Sequence, residues 1–210
     1  MIKLNSKIIF LLLCLITCLI TIISNTVLNT DELLISSLSE KMTQDQIKEA
    51  FEFNKKWQWS SYLFIPIFLF IKIGLISSVL YMGLFFFNKQ TTFKRTFTIV
   101  TKGEFIFIGV GIIKLIWFSS LEVYTLEDIQ HFYPLSALSI VGHEGLSPWF
   151  LYPFQTLNLF ELVYWIVLAY LISKEIKTST DKALKIVASS YGSALLIWVV
   201  AIMFINLNAS

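Results

Sequence analysis

Four ionisable residues stand inside otherwise apolar stretches: Lys72, Glu104, Lys114 and Glu161. A charge in hydrocarbon is costly, so such residues mark either a path for an ion, proton or polar substrate, or a polar contact between helices. Gln155, Asn158 and Glu161 recur at i, i+3 and i+6, which predicts one polar stripe on a helix facing its neighbours. At ~1.5 Å per residue, Lys114 falls ~10 Å and Glu161 ~12 Å below the outer surface, and Lys72 lies ~16 Å down. Glu104 falls ~10 Å from the inner surface, level with Ser189, Ser190 and Tyr191. This spacing predicts an outer layer in which Glu161 meets Lys114, Lys72 or both. It predicts an inner layer in which Glu104 faces the three hydroxyls. Polar contacts between membrane helices contribute ~0.6 kcal/mol, up to ~2. Such a set is expected to fix packing, with a conducting path as the alternative.

Other chemistry is sparse. Glu127 and His131 are i, i+4 on one helical face, and His143-Glu144 follows. These are metal-ligating residue types, but two histidines and some acids do not make a ligand pattern. The expectation is an outer loop that packs on the bundle, with no metal and no cofactor. There is no phosphate loop, no G-x-S-x-G and no H-E-x-x-H. No catalytic residue is expected, and the chain is not expected to be an enzyme.

The elements that must position the four charges follow from composition. Hydrophobic residues make up 56% of the 210 and charged residues 14%, which excludes a disordered chain and points to lipid as solvent. The net charge of +2 gives no reason to expect nucleic acid. Two cysteines exclude a disulfide scaffold; Cys14 and Cys18 share a helix face and are expected to pack. A helix needs about 20 apolar residues to cross the bilayer. Five segments qualify, at about 8–24, 61–87, 97–121, 153–173 and 183–206. The predicted fold is therefore all-α, a single polytopic membrane domain over 1–210. The first segment follows Lys3 and Lys7 as a signal peptide would, but no A-x-A site follows it, so a retained helix is expected.

Lysine and arginine set the orientation. The N-terminus, the 88–96 loop (Lys89, Lys94, Arg95) and the 174–182 loop (Lys174, Lys177, Lys182) are basic. Loop 25–60 has six acids against four lysines, and loop 122–152 has neither Lys nor Arg. The N-terminus is thus expected inside and the C-terminus outside, with 25–60 and 122–152 as outer loops. Trp57, Trp59, Tyr62, Trp149 and Tyr152 are placed to anchor spans at the outer interface. Within 25–60 the spacing predicts a short helix over 43–57, capped at Thr43-Gln44-Asp45-Gln46. Gly109 and Gly111 permit close helix approach, and Pro66 is a candidate kink.

One stretch resembles a known family. Pro148-Trp149-Phe150-Leu151-Tyr152-Pro153-Phe154-Gln155-Thr156-Leu157-Asn158-Leu159-Phe160-Glu161 is followed by an apolar span and a basic turn. Lys182-Ala183-Leu184 then leads into a last span containing Tyr191. This arrangement is similar to bacterial members of the Yip1 domain family over about residues 60–206, and five spans agree with it. The Asp-Leu-Tyr-Gly-Pro element of the eukaryotic members is absent. The resemblance implies an integral protein of a bacterial inner membrane that acts through partners, and it brings no catalytic residues. The expected function is a non-enzymatic scaffold or accessory subunit of a membrane complex, bound to another membrane protein. The alternative is a transporter or channel component that uses the four buried charges.

Overall fold

The computed structural model describes residues 5–39 and 42–209; Lys3 of the basic N-terminus lies outside them. Every regular element among the described residues is helical. In chain order these are α1 (Ser6–Val27), α2 (Thr30–Ser39), α3 (Gln44–Phe86), α4 (Phe93–Gly103), α5 (Phe105–Ser119), α6 (Leu126–His131), α7 (Ala137–Val141), α8 (Pro148–Thr156), α9 (Leu159–Glu175), α10 (Thr180–Val187), a π-helical turn (Ala188–Gly192) and α11 (Ser193–Ala209). Among the described residues, three stretches are long and apolar enough to cross a membrane: α1, α3, and the continuous run Thr180–Asn208.

The cap expected at Thr43 is present, with the Thr43 backbone N–H donating to Gln46 Oε1 at 3.0 Å. The helix it starts does not stop at residue 57. It runs without a break into the next apolar segment, giving one helix of 43 residues, ~64 Å long. No glycine separates the two parts, and Pro66 is accommodated within the helix. Proline removes the N–H that would bond the carbonyl four residues earlier, here Tyr62. The Cys18 thiol of α1 points at that carbonyl, 4.0 Å away, and supplies a weak donor in its place.

The third and fourth apolar segments are interrupted. The chain turns at Glu104 between α4 and α5, and at Leu157-Asn158 between α8 and α9. The last segment begins at Thr180 and loosens into the π-helical turn before α11.

Contacts between elements sort the helix ends into two groups. Ser6 Oγ of α1 lies 2.7 Å from Thr98 Oγ1 of α4, and Arg95 Nη1 of α4 donates to Glu175 Oε1 of α9 at 2.6 Å. The start of α1, the start of α4 and the end of α9 therefore share one end of the bundle. At the other end, Tyr124 OH donates to the Leu28 carbonyl at 3.4 Å, and Asn25 Nδ2 donates to Tyr62 OH at 3.3 Å. The densest core lies toward the first end, around Ile73, Leu80, Leu84, Val100, Tyr164, Leu168, Ile172 and Val187. Large apolar side chains on the outer faces of α1, α3 and α11 remain exposed, as on helices that face lipid.

Candidate functional site: a polar network between the helices

Glu104 occupies the turn between α4 and α5, and its side chain is 2% exposed. Its neighbour Gly103 is what lets α4 approach α9. A Cβ there would lie 2.7 Å from Tyr164 Cε2, closer than side chains pack. The approach brings Tyr164 OH to Glu104 Oε1, to which it donates at 3.1 Å. On the other side, Lys72 Nζ of α3 donates to Glu104 Oε2 at 2.7 Å. Lys72 also sits 4.4 Å over the Phe107 ring, a cation–π contact. Its side chain is 46% exposed, so the pair stands at the rim of the bundle with the acid inside and the base reaching in.

Glu161 lies one helical turn before Tyr164 on α9. Its Oε1 accepts from Tyr191 OH at 2.7 Å and from Trp165 Nε1 at 2.9 Å. Tyr191 belongs to the π-helical turn, and its ring packs edge-on against Tyr164 with centroids 5.6 Å apart. Gly192 beside it leaves room for the Trp165 ring, which fills the space a Cβ would take. Four helical segments therefore meet through two carboxylates, two tyrosines, one indole and one lysine.

The pairing differs from the expected layers. Glu161 meets neither Lys114 nor Lys72 within salt-bridge distance, and Glu104 bonds Tyr164 and Lys72 rather than Ser189, Ser190 or Tyr191. Ser189 and Ser190 donate instead to the Ile186 carbonyl at 3.2 and 2.6 Å. Lys114 donates to the Ile129 carbonyl of α6 and so ties the outer segment to α5. The expected stripe is also broken, because Gln155 and Glu161 lie on different helices. Asn158 is the N-cap of α9: its Oδ1 accepts from the Glu161 N–H at 2.8 Å. Its Nδ2 donates to the Gln155 and Thr156 carbonyls at 2.9 and 3.0 Å. Gln155 Nε2 reaches the Gln130 and His131 carbonyls, each at 3.5 Å. A short antiparallel bridge between Ser136 and Asn158 holds the break open: Ala137 N–H donates to the Leu157 carbonyl at 2.8 Å and Leu159 N–H to that of Leu135 at 3.1 Å.

Tyr164 and Trp165 were not singled out by the sequence. Their signal was spacing from Glu161, at i+3 and i+4 on one helix. Chemically the network can hold protons and orient charge. Within it, among the described residues, the carboxylates accept from Lys, Tyr and Trp donors.

No known protein family, curated protein or solved structure matches this chain.

The outer segment gathers residues that lie apart in sequence. Glu127, His131 and His143 bring one ligand atom each to within 4.8 Å of one another. Asp128 closes the capping box of α6, its Oδ2 accepting from the Thr125 N–H at 2.8 Å. The Thr125 hydrogen bonds hold its carboxyl below the ordinary 3.8, and the nearby His143 and His131 rings act in the same direction.

Proposed function

We propose that the chain is a five-span protein of a bacterial inner membrane, N-terminus inside and C-terminus outside. We propose that it acts as a non-enzymatic scaffold or accessory subunit bound to another membrane protein. The spans are α1, the second part of α3, α4–α5, α8–α9 and the run from Thr180 onward. The two groups of helix ends support this orientation. The basic turns at 88–96 and 174–182 adjoin the same end of the bundle as Ser6, as the excess of Lys and Arg on the cytoplasmic side requires. We also propose, on the resemblance of residues 148–161 alone, that the chain is related to the Yip1 domain family.

The observation that carries the scaffold reading is how the buried carboxylates are used. Glu104 is closed by Lys72 and Tyr164, and Glu161 by Tyr191 and Trp165. Each bond but the Trp165 one joins different helical segments, so the network works as a set of cross-links. Polar side chains that bond one another across helices in a bundle interior rigidify it, here with Glu104 buried and Glu161 partly buried. The test is purification of a tagged full-length chain from native membranes in mild detergent, with mass spectrometry of what co-purifies. A stoichiometric membrane protein, retained in a Lys72→Glu/Glu104→Lys exchange, is the expected result. A chain that purifies alone from every membrane preparation would overturn the reading.

A transporter or channel component is the second reading, and one observation favours it. The turn at Glu104 and the π-helical turn at Ala188–Gly192 lie at the level of the carboxylates. Irregular backbone at membrane depth occurs where it is buried in protein or lines a cavity, and π-helical turns often stand at functional sites. Ion or proton flux through liposomes holding the purified protein, abolished by Glu161→Gln, would establish this second reading.

A further inference from the structure

We propose that the outer segment carries a binding site for a divalent transition ion of the zinc class, with Glu127, His131 and His143 as its ligands. The proposal is independent of the scaffold reading. Glu127 and His131 stand one turn apart on α6, and the chain returns to them twelve residues later. After α7 it turns at Gly142 (φ 85°) and Gly145 (φ 73°), conformations that favour glycine. Between them His143 is laid over His131, with ring centroids 5.0 Å apart and planes 25° from parallel.

His131 Nδ1 carries the argument. It is buried, and among the described residues it has no hydrogen-bond partner. Its nearest acid oxygen, Glu127 Oε1, is 3.9 Å away, too far for a hydrogen bond. A buried polar nitrogen left without a partner is costly, and a metal ion resolves it. Zinc bonds of ~2.0–2.1 Å set tetrahedral ligand atoms roughly 3.3 Å apart, so movements on the order of 1 Å about side-chain torsions close the site. Imidazole nitrogens with one carboxylate suit zinc rather than magnesium or calcium, which take oxygen ligands throughout. Three protein ligands leave a fourth position for water or for a ligand from a partner.

The surroundings match a cation. The cavity walls include Glu127, Asp128 and Glu144, with no Lys or Arg among them. The ligand-bearing helix is also held in place from two sides. Lys114 of α5 donates to the Ile129 carbonyl, and Gln155 of α8 reaches the Gln130 and His131 carbonyls. A site needs ligands on fixed backbone, and these two side chains fix α6 to the bundle.

The test uses the full-length protein, purified in detergent, freed of metal with a chelator and titrated with zinc chloride against a chromogenic competitor. One equivalent should bind. His131→Ala and His143→Ala should each weaken binding ~100-fold or more, while Glu122→Gln, an exposed acid outside the cavity lining, leaves it unchanged. Zinc-edge X-ray absorption on the wild-type protein needs no variant, and it should show two imidazoles in the coordination shell. Failure of the wild-type protein to take up zinc, wild-type affinity in either histidine variant, or a spectrum without imidazole would each overturn the proposal.

Discussion

Glu104 is the residue on which the network turns, because it is buried while its cation is not. Removing one member of such a pair leaves a charge without compensation, which costs ~3 kcal/mol or more. Lys72→Met should lower stability by that amount in detergent unfolding experiments. Adding Glu104→Leu to it should restore much of the loss; a double variant as unstable as the single would show that Lys72 matters by packing on Phe107 instead. Cys18 has a smaller task. Cys18→Val keeps the volume but leaves the Tyr62 carbonyl without a donor at Pro66 and should cost less than about 1 kcal/mol, whereas a packing role alone would leave Cys18→Val as stable as the unaltered chain. The four charges were legible in the sequence, since each stands in an apolar run. Their partners were not, for a reason of measurement. Depths counted from outer helix ends assume where those ends lie, and α3 and α8–α9 do not begin at the expected residues. Counted from the short basic turns, the levels agree. Glu104, Tyr164 and Tyr191 each lie about 11 residues (~16 Å) from that end, and Lys72 and Glu161 about 14 (~21 Å).

At the scale of elements, the breaks matter more than the helices. Asn158 starts α9 and simultaneously closes the end of α8, so it fixes where the fourth segment divides. Asn158→Ala should destabilise by about 1 kcal/mol through the lost cap, and thermal unfolding followed by circular dichroism would register it. Gly103→Ala acts between elements. It forces the Tyr164 ring away from α4 and should cost ~1–3 kcal/mol, as overpacking does; a variant with wild-type stability would mean that α9 can shift freely. The cap of α6 gives a pH dependence. Asp128 has a depressed folded pKa, so its contribution is complete above the ordinary 3.8 and is lost as pH falls through the lower folded value. Amide exchange in α6, corrected for intrinsic rates, should therefore rise only below pH 3.8. Apolar runs and caps such as Thr43 were readable because they depend on local residues. The turn at Leu157-Asn158 was not, because it depends on pairing with Leu135–Ala137, some twenty residues away in the chain.

For the whole molecule, the proposed orientation predicts labelling. With Cys14 and Cys18 replaced by Ala, single cysteines at positions 90 and 178 should react with an impermeant maleimide only after the membrane is opened, and one at 140 should react in intact cells. Reversal at any one of the three would require a different number of crossings. The length of α3 has a mechanical consequence. A bilayer core is ~30 Å thick and this helix is about twice as long, so in the proposed five-span arrangement much of its N-terminal part stands clear of lipid. From Pro66 to Gln44 the arm is ~33 Å, and a flexion of about 10° at the proline would swing its tip by roughly 6 Å. At that hinge the Cys18 thiol of α1 reaches the Tyr62 carbonyl. The chain thus has the proportions of a lever, with its fulcrum set against the first helix and α2 packed along its arm.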